Sequence, residues 1–301
     1  MPASQPFRSA LRPIESRQNP HLKLLRRVLA SPESGLAALE GPNLLAEAVH
    51  AGLRIHAVFA APEAAPQLAR LPLDSRTEFY AVPRSLLNPL LATESPQPIA
   101  ALIEPPLWNW SQLLTGAPAR ATSSTDAAPL VVVLAGLQDP GNLGTILRSS
   151  EAFGATGVLC LPGTVSPWNP KAVRASAGSV FRLPLVQSSA AQAFAGLRTA
   201  GLRVWTTSVH EASPLPAADL AGPTALIIGN EGNGVPDQIA AEADATLTIP
   251  CPGPVESLNA AIATSILLYE ASRQRASVAP THREPAPGRA AKKTAGPGVR
   301  R

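Results

Sequence analysis

Apolar positions along the chain fall into short runs broken by proline, glycine and small polar residues, and the spacing within each run separates helices from strands. Leu22, Leu24, Leu25, Val28 and Leu29, interleaved with Lys23, Arg26 and Arg27, approximate a helical repeat and predict a short basic helix over 20–30, capped by Asn19. Gly41-Pro42-Asn43 precedes a second helical stripe formed by Leu44, Leu45, Ala48 and Val49, after which Ile55–Ala60 reads as a buried strand. Further short apolar pieces follow among prolines, with a strand expected at Phe79–Val82 and a helix at Ser85–Leu91. Near Glu104 the text changes to Pro, Ser, Thr, Gly and Ala, with Trp108 and Trp110 as its large anchors, which predicts a partly docked linker over 105–128.

From Leu130 the pattern alternates. Strands are expected at Leu130–Ala135, Gly157–Cys160, Arg203–Thr207, Ala225–Gly229 and Ala245–Ile249, each short and apolar, as in a sheet covered on both faces. Helices are expected at Gly144–Phe153, Pro170–Ala177, Ala190–Ala200, Pro236–Ala241 and Leu258–Arg275. This alternation predicts an α/β domain with a mostly parallel sheet over 129–275. Ala, Pro, Gly, Arg and Lys dominate 276–301, where too little apolar material remains to order the chain, so a disordered basic tail is expected.

Composition sharpens this outline. With 301 residues, 45% of them hydrophobic and 15% charged, the chain can bury the cores of two domains. It shows neither an apolar run of membrane-spanning length nor a leader-like start, so no membrane partner and a cytoplasmic location are expected. Cys160 and Cys251 are the two cysteines; they form no disulfide framework, and no Cys/His cluster has zinc-ligand spacing, so no metal is expected.

The net charge of +4 conceals a split. Residues 1–30 hold six Lys/Arg against Glu15, and 273–301 hold eight against Glu284, which leaves the body between them at −8. Basic ends on an acidic body suit either a polyanionic partner or plain solubility.

Three segments carry candidate chemistry, each at the carboxyl end of an expected strand, where open α/β sheets bind ligands. In 137–154, Pro140-Gly141-Asn142 reads as a turn leading into a helix, offering free backbone N–H groups. Arg148 and Glu151 on that helix are spaced to pair; the plain alternative to a site is a helix cap followed by a surface ion pair. In 226–236, Gly229-Asn230-Glu231-Gly232-Asn233-Gly234 lets backbone approach a ligand closely, or forms a simple turn with Glu231 in solvent. It has neither the phosphate-loop nor the dinucleotide spacing, which disfavours an oxidoreductase. In 249–263, prolines stiffen a loop before Ser257 or Asn259 opens a long helix rich in small residues, and Ser257 is either a cap or a substrate ligand.

Taken in order, Asn142-x-Gly144-x-x-x-Arg148, Gly229-Asn230-Glu231-Gly232-x-Gly234 and Ser257-Leu258-Asn259, with Pro170–Gly178 between them, resemble the signatures of the SpoU/TrmH family of RNA ribose 2′-O-methyltransferases, within the SPOUT superfamily. Residues 20–104 resemble the small L30e-like α/β substrate-binding domain that precedes the catalytic domain in many members. The resemblance implies an α/β SPOUT domain with a trefoil knot, S-adenosylmethionine as cofactor, a homodimer with its site at the subunit interface, and RNA as partner, in the cytoplasm. Carried over by position, Gly229, Ile249 and Leu258 would contact the cofactor. Asn142, Arg148, Glu231, Ser257 and Asn259 would surround the reacting ribose, with Glu231 orienting Arg148 or Asn259. Arg148 would serve as base, in conflict with a guanidinium pKa above about 12, or hold the adjacent phosphate.

Two domains favour 23S-type ribosomal RNA as substrate over transfer RNA, and a non-catalytic RNA-binding protein acting in ribosome assembly is the alternative of another class. Lys171 and Arg174 are further candidate RNA contacts or plain surface charges.

Overall fold

The structure is a computed structural model, and it describes residues 11–31, 35–91, 93, 95–117, 128–208, 212–255 and 257–278. Most of the expected basic tail, 279–301, lies outside these residues, as do the first ten residues and 118–127 of the expected linker.

Two sheets organise the chain. The first has five strands: β1 (Arg12–Pro13), β2 (Ala37–Glu40), β3 (Ile55–Ala60), β4 (Glu78–Ala81) and β5 (Ile99–Ile103), in the order β1-β4-β3-β5-β2. β4 runs parallel to β1 and β3, whereas β5 is antiparallel to both β2 and β3. Its helices are α1 (Pro20–Ala30), α2 (Pro42–His50), α3 (Ala65–Leu68) and α4 (Arg84–Leu87). Asn19 caps α1 as expected, its side-chain oxygen accepting from the His21 N–H at 2.9 Å. β2 and β5 escape the pattern analysis because Ala37-Ala38 and Ala100-Ala101 supply little strand propensity, although every residue of both strands is buried. The helix expected at Ser85–Leu91 is a single turn, α4, continued as a 3₁₀ turn at Asn88–Leu90 where Pro89 interrupts it.

The second sheet is all parallel, with strands β6 (Leu130–Leu134), β7 (Gly157–Cys160), β8 (Leu185–Gln187), β9 (Arg203–Thr207), β10 (Ser213–Pro214), β11 (Thr224–Ile228) and β12 (Ala245–Thr248) in the order β10-β12-β9-β11-β6-β7-β8. Its helices are α5 (Trp110–Thr115), α6 (Pro140–Ala152), α7 (Pro170–Ala175), α8 (Ala190–Thr199), α9 (Asp237–Ala240) and α10 (Ala260–Val278). The central strands β6 and β11 are buried throughout, which explains their unbroken apolar text. α5 falls inside the stretch expected as linker: Asn109 and Gln112 form a reciprocal capping box, Leu113 is fully buried, and Trp110 lies against Gly196 of α8.

Three starts and stops differ from expectation. α6 begins at Pro140, so Pro140-Gly141-Asn142 is its first turn rather than a turn before it; Asp139 is the cap, accepting from the Asn142 N–H at 2.8 Å, with proline at a position that needs no donor. α10 begins at Ala260 and not at Leu258, and of the two expected openers Asn259 is the cap: its side-chain oxygen accepts from the N–H groups of Ala261 at 2.9 Å and Ile262 at 3.2 Å. At its other end α10 runs on to Val278, past the expected boundary at 275.

Of the basic residues counted in the carboxyl-terminal stretch, Arg273 is paired with Glu270 and Arg275 is turned inward. Its guanidinium donates to the carbonyls of Leu220 and Pro129 at 3.0 and 3.1 Å, and burial pushes its pKa down to about 10.

The two helices that frame the site approach closely. A Cβ on Gly144 of α6 would stand 2.4 Å from the Ala172 carbonyl oxygen and 2.5 Å from the Ala175 Cβ, so α7 tolerates no side chain there. Gly144→Ala is therefore expected to destabilise the fold by about 1–3 kcal/mol despite alanine's better helix propensity. Gly222→Ala, where an added Cβ meets nothing within 4 Å, should change stability by no more than about 0.5 kcal/mol. Denaturant unfolding of the two variants checks the contrast.

A candidate active site at the carboxyl edge of the parallel sheet

Because β6 and β11 are hydrogen-bonded neighbours running the same way, the loops that leave them emerge side by side. Residues 136–139 after β6 and 229–235 after β11 meet there, and a mesh of side-chain bonds ties them together. Asn230 donates from Nδ2 to the Gly136 carbonyl at 3.0 Å, while its Oδ1 accepts from the Gly232 N–H at 2.8 Å and the Asn233 N–H at 3.3 Å. The Asn230 and Gly234 backbones exchange hydrogen bonds at 2.8 and 2.9 Å, closing the loop on itself. Gly229 sits at its base, where an added Cβ would lie 2.1 Å from the Gly234 carbonyl carbon, so no larger residue fits.

Glu231 joins this loop to α6. Its carboxylate accepts from the Asp139 N–H at 3.1 Å, the Gln138 N–H at 3.3 Å and Asn142 Nδ2 at 3.0 Å. Asn142 in turn accepts at Oδ1 from Asn259 Nδ2 at 3.0 Å, and Asn259 uses its own oxygen to cap α10. Glu231, Asn142 and Asn259 thus form one chain of hydrogen bonds joining the three segments singled out in the sequence. Desolvation works to raise the Glu231 pKa, but the donors from Asn142 and from the backbone of Asp139 and Gln138 outweigh it and hold the carboxyl below the usual glutamate value.

Beside this chain lies a cavity of about 410 Å³, of the size that takes a small organic ligand. The ends of β9, β11 and β12 and the start of α10 line it, with Ile228, Leu247, Ile249 and Leu258 supplying apolar walls and Ser208, Asn230, Glu231 and Ser257 polar groups. Of the residues expected at the site, Gly229, Glu231, Ile249, Ser257 and Leu258 line this cavity. Asn142 and Asn259 reach it through Glu231. Asn230 and the exposed Cys251 also belong to the lining and were not singled out from sequence; Asn230 stands within the glycine-rich motif, which was the available signal.

Arg148 is not part of the lining. It is exposed on α6 and makes no hydrogen bond or ion pair among the described residues. Neither expectation for its partners holds: Glu231 bonds Asn142 instead, and the Glu151 carboxylate is engaged by Arg182 at 2.7 and 3.0 Å. Lys171 and Arg174 are also engaged, Lys171 with Asp139 at 2.8 Å and Arg174 with the buried Glu40 at 3.5 Å. Among the described residues no group of three or more His, Cys, Asp or Glu side chains could hold a metal ion, and no helix is long and apolar enough to cross a membrane.

Comparison with known proteins defines the class. Residues 129–269 match the SpoU rRNA Methylase family. The chain is 34% identical to an uncharacterized tRNA/rRNA methyltransferase of Synechocystis over 90% of its own length and 97% of the relative's. It is 29% identical to the 23S rRNA (guanosine(2553)-2′-O)-methyltransferase RlmP of Bacillus subtilis, over 86% and 98% of the two chains. The AdoMet-bound rRNA methyltransferase of Sinorhizobium meliloti superposes with a TM-score of 0.73 at 28% identity, covering 88% of this chain and 98% of that one. The SpoU methyltransferase AviRb of Streptomyces viridochromogenes, in complex with AdoMet, gives 0.74 at 28% identity over 86% and 99%. This chain belongs to the SpoU rRNA methylase family, and its α/β fold is the one those enzymes share.

A carboxyl whose pKa is depressed contributes stability above its unfolded value and loses it as pH falls through the folded one. At neutral pH, Glu231→Gln should therefore melt below wild type, and the gap should close as pH drops through 4.5 and lower. Thermal unfolding followed by circular dichroism across that range checks this; a gap independent of pH contradicts it.

Proposed function

We propose that this protein is an S-adenosylmethionine-dependent RNA methyltransferase acting on a ribose 2′-hydroxyl, with 23S-type ribosomal RNA as the favoured substrate. The observation that carries the reading is the cavity at the carboxyl edge of the second sheet, joined through Glu231, Asn142 and Asn259 to the helix that bears a free Arg148. RlmP and the Sinorhizobium enzyme are rRNA methyltransferases, which supports ribosomal RNA. The tRNA/rRNA designation of the Synechocystis relative keeps transfer RNA as the second substrate class.

The cavity suits the cofactor. Gly229 leaves backbone where a Cβ would not fit, and Ile249 and Leu258 offer apolar contact beside it, so these three residues would hold the adenosine and methionine parts. When bound, S-adenosylmethionine supplies a methyl group already activated by its sulfonium. The protein's tasks are then to align the ribose and to manage the proton. Glu231, buttressed by backbone donors, holds Asn142, and Asn142 holds Asn259, so a ribose meets a preset rim with Ser257 exposed beside it. Arg148 offers a planar cation whose donors match phosphate geometry. It holds the phosphate next to the reacting ribose and stabilises the oxyanion as the hydroxyl proton leaves to solvent.

The finer architecture follows the same reading. The segment between β12 and α10 forms the SPOUT trefoil knot, and the first sheet with its helices is the L30e-like substrate-binding domain. The enzyme works as a homodimer in the cytoplasm. Ile262 and Tyr269, seven residues apart on α10, are 54% and 56% exposed, an apolar strip suited to a second copy. Such a copy brings Arg148 to its neighbour's cavity, which accounts for a functional arginine outside the cavity of its own chain.

Charge supports an RNA partner. Arg17, Lys23 and Arg26 surround a depression formed with Leu22, Leu86, Pro89 and Leu90, and none of the three pairs with a carboxylate among the described residues. Lys23 and Arg26, three residues apart on α1, and Arg17 just before it are available to backbone phosphates.

Incubation with ribosomal RNA or transfer RNA and methyl-labelled S-adenosylmethionine, followed by nucleoside analysis, should place label in a 2′-O-methyl nucleoside. No label with cofactor binding intact points to a ribosomal precursor particle as the substrate, whereas no label and no cofactor binding overturns the enzyme reading in favour of the non-catalytic RNA-binding protein. Arg148→Ala should lower turnover by about 100-fold or more while cofactor affinity stays within about twofold. Replacing Lys23 and Arg26 by Gln should weaken RNA binding and reduce the slope of log affinity against log salt by about 2.

A further inference from the structure

On a helix, a glutamate three residues after an arginine is a natural partner for it. Glu151 stands in that relation to Arg148 on α6, yet the two do not pair. Both Glu151 oxygens are turned to Arg182, which donates from Nε to Oε1 at 2.7 Å and from Nη2 to Oε2 at 3.0 Å. This is the two-pronged geometry in which a guanidinium matches a carboxylate best. The remaining arm of Arg182 donates from Nη1 to Glu47 Oε2 at 2.6 Å, and Glu47 lies on α2, beside the first sheet.

Arg182 is well placed to hold this position. It follows the 3₁₀ turn at Ser179–Phe181, whose Val180 and Phe181 are buried, so its backbone is anchored while its side chain spans the gap between α2 and α6. A Cβ on Gly178 would touch Glu47 Cβ at 2.9 Å, so the turn and α2 are in close contact.

We infer that Arg182 is a positioning residue for methyl transfer: by engaging Glu151 it keeps that carboxylate from capturing Arg148, and by engaging Glu47 it makes this release depend on the seating of the first sheet's helices. The inference rests on the reading of Arg148 given above. Removing Arg182 takes away the two-pronged contact that holds the Glu151 carboxylate away from Arg148 and lets it turn along α6 toward that guanidinium, which is then neutralised before it meets RNA.

The test uses wild type, Arg182→Ala, Glu151→Gln and the double variant. Two readouts apply: turnover on ribosomal RNA with methyl-labelled S-adenosylmethionine, and the rate at which phenylglyoxal modifies Arg148, read by peptide mass spectrometry without any RNA. Arg182→Ala should lower kcat about fivefold and slow Arg148 modification about fivefold, the equivalent of an ion pair worth about 1 kcal/mol, with cofactor affinity unchanged. Adding Glu151→Gln to Arg182→Ala should restore both rates to within about twofold of Glu151→Gln alone, which a purely structural role for Arg182 would not do. Arg148 modification in wild type no faster than in Arg182→Ala overturns the inference. So does a double variant as slow as Arg182→Ala. If instead Arg148→Ala retains full turnover while the modification rates behave as stated, the assignment of Arg148 fails and the Arg182 release stands.

Discussion

The structure depends on one carboxylate. Glu231 gathers the Gln138 and Asp139 N–H groups and the Asn142 amide at the point where the loops after β6 and β11 meet, so one carboxylate of the second loop satisfies three donors from the first loop and the start of α6. Unsatisfied backbone donors are costly when water is displaced, so a bound ligand that dries this edge makes the carboxylate more important. Asn142 then passes the constraint on: its oxygen receives Asn259, and Asn259 starts α10. The same amide that fixes the site's rim therefore fixes where the last helix begins.

Two requirements meet on α6. Its inner face packs against α7 so tightly that Gly144 has no room for a side chain, and Ser149 bonds Ser265 of α10 at 2.7 Å. Its outer face carries Arg148 with no protein partner among the described residues. A helix held rigidly on one side and left charged and open on the other presents that cation in a fixed direction. Nearby cations are neutralised by carboxylates: Lys171 by Asp139, Arg174 by Glu40, and Arg182 by Glu47 and Glu151.

Polar pairs of the same kind also cross between the two sheets, beside a shared apolar cluster that includes Leu44, Leu45, Val173 and Phe181. Glu40, at the end of β2, is buried and also accepts from the Gln97 N–H at 3.3 Å and from Thr93. Its pairing with Arg174 crosses from the first sheet to α7. A buried carboxylate stripped of such partners is strongly unfavourable, which makes the orientation of one sheet on the other specific rather than merely adhesive.

Much of this was legible in the chain. Ile55–Ala60, Gly157–Cys160 and Arg203–Thr207 appear with the expected bounds, because most of their positions are buried and their text is correspondingly apolar, with His56, Arg203 and Thr207 at the less buried positions. The three loop motifs were equally visible, since glycine and asparagine are required where backbone turns sharply or approaches a ligand. β2 and β5 were not, because alanine-rich strands declare themselves through burial alone. Nor were the partners: spacing along α6 favours Arg148 with Glu151, while the fold brings Arg182 in from another segment with better geometry. Local order is written in residue type and period. Which carboxylate meets which cation is a property of distant segments brought to one place, and only the tertiary structure decides it.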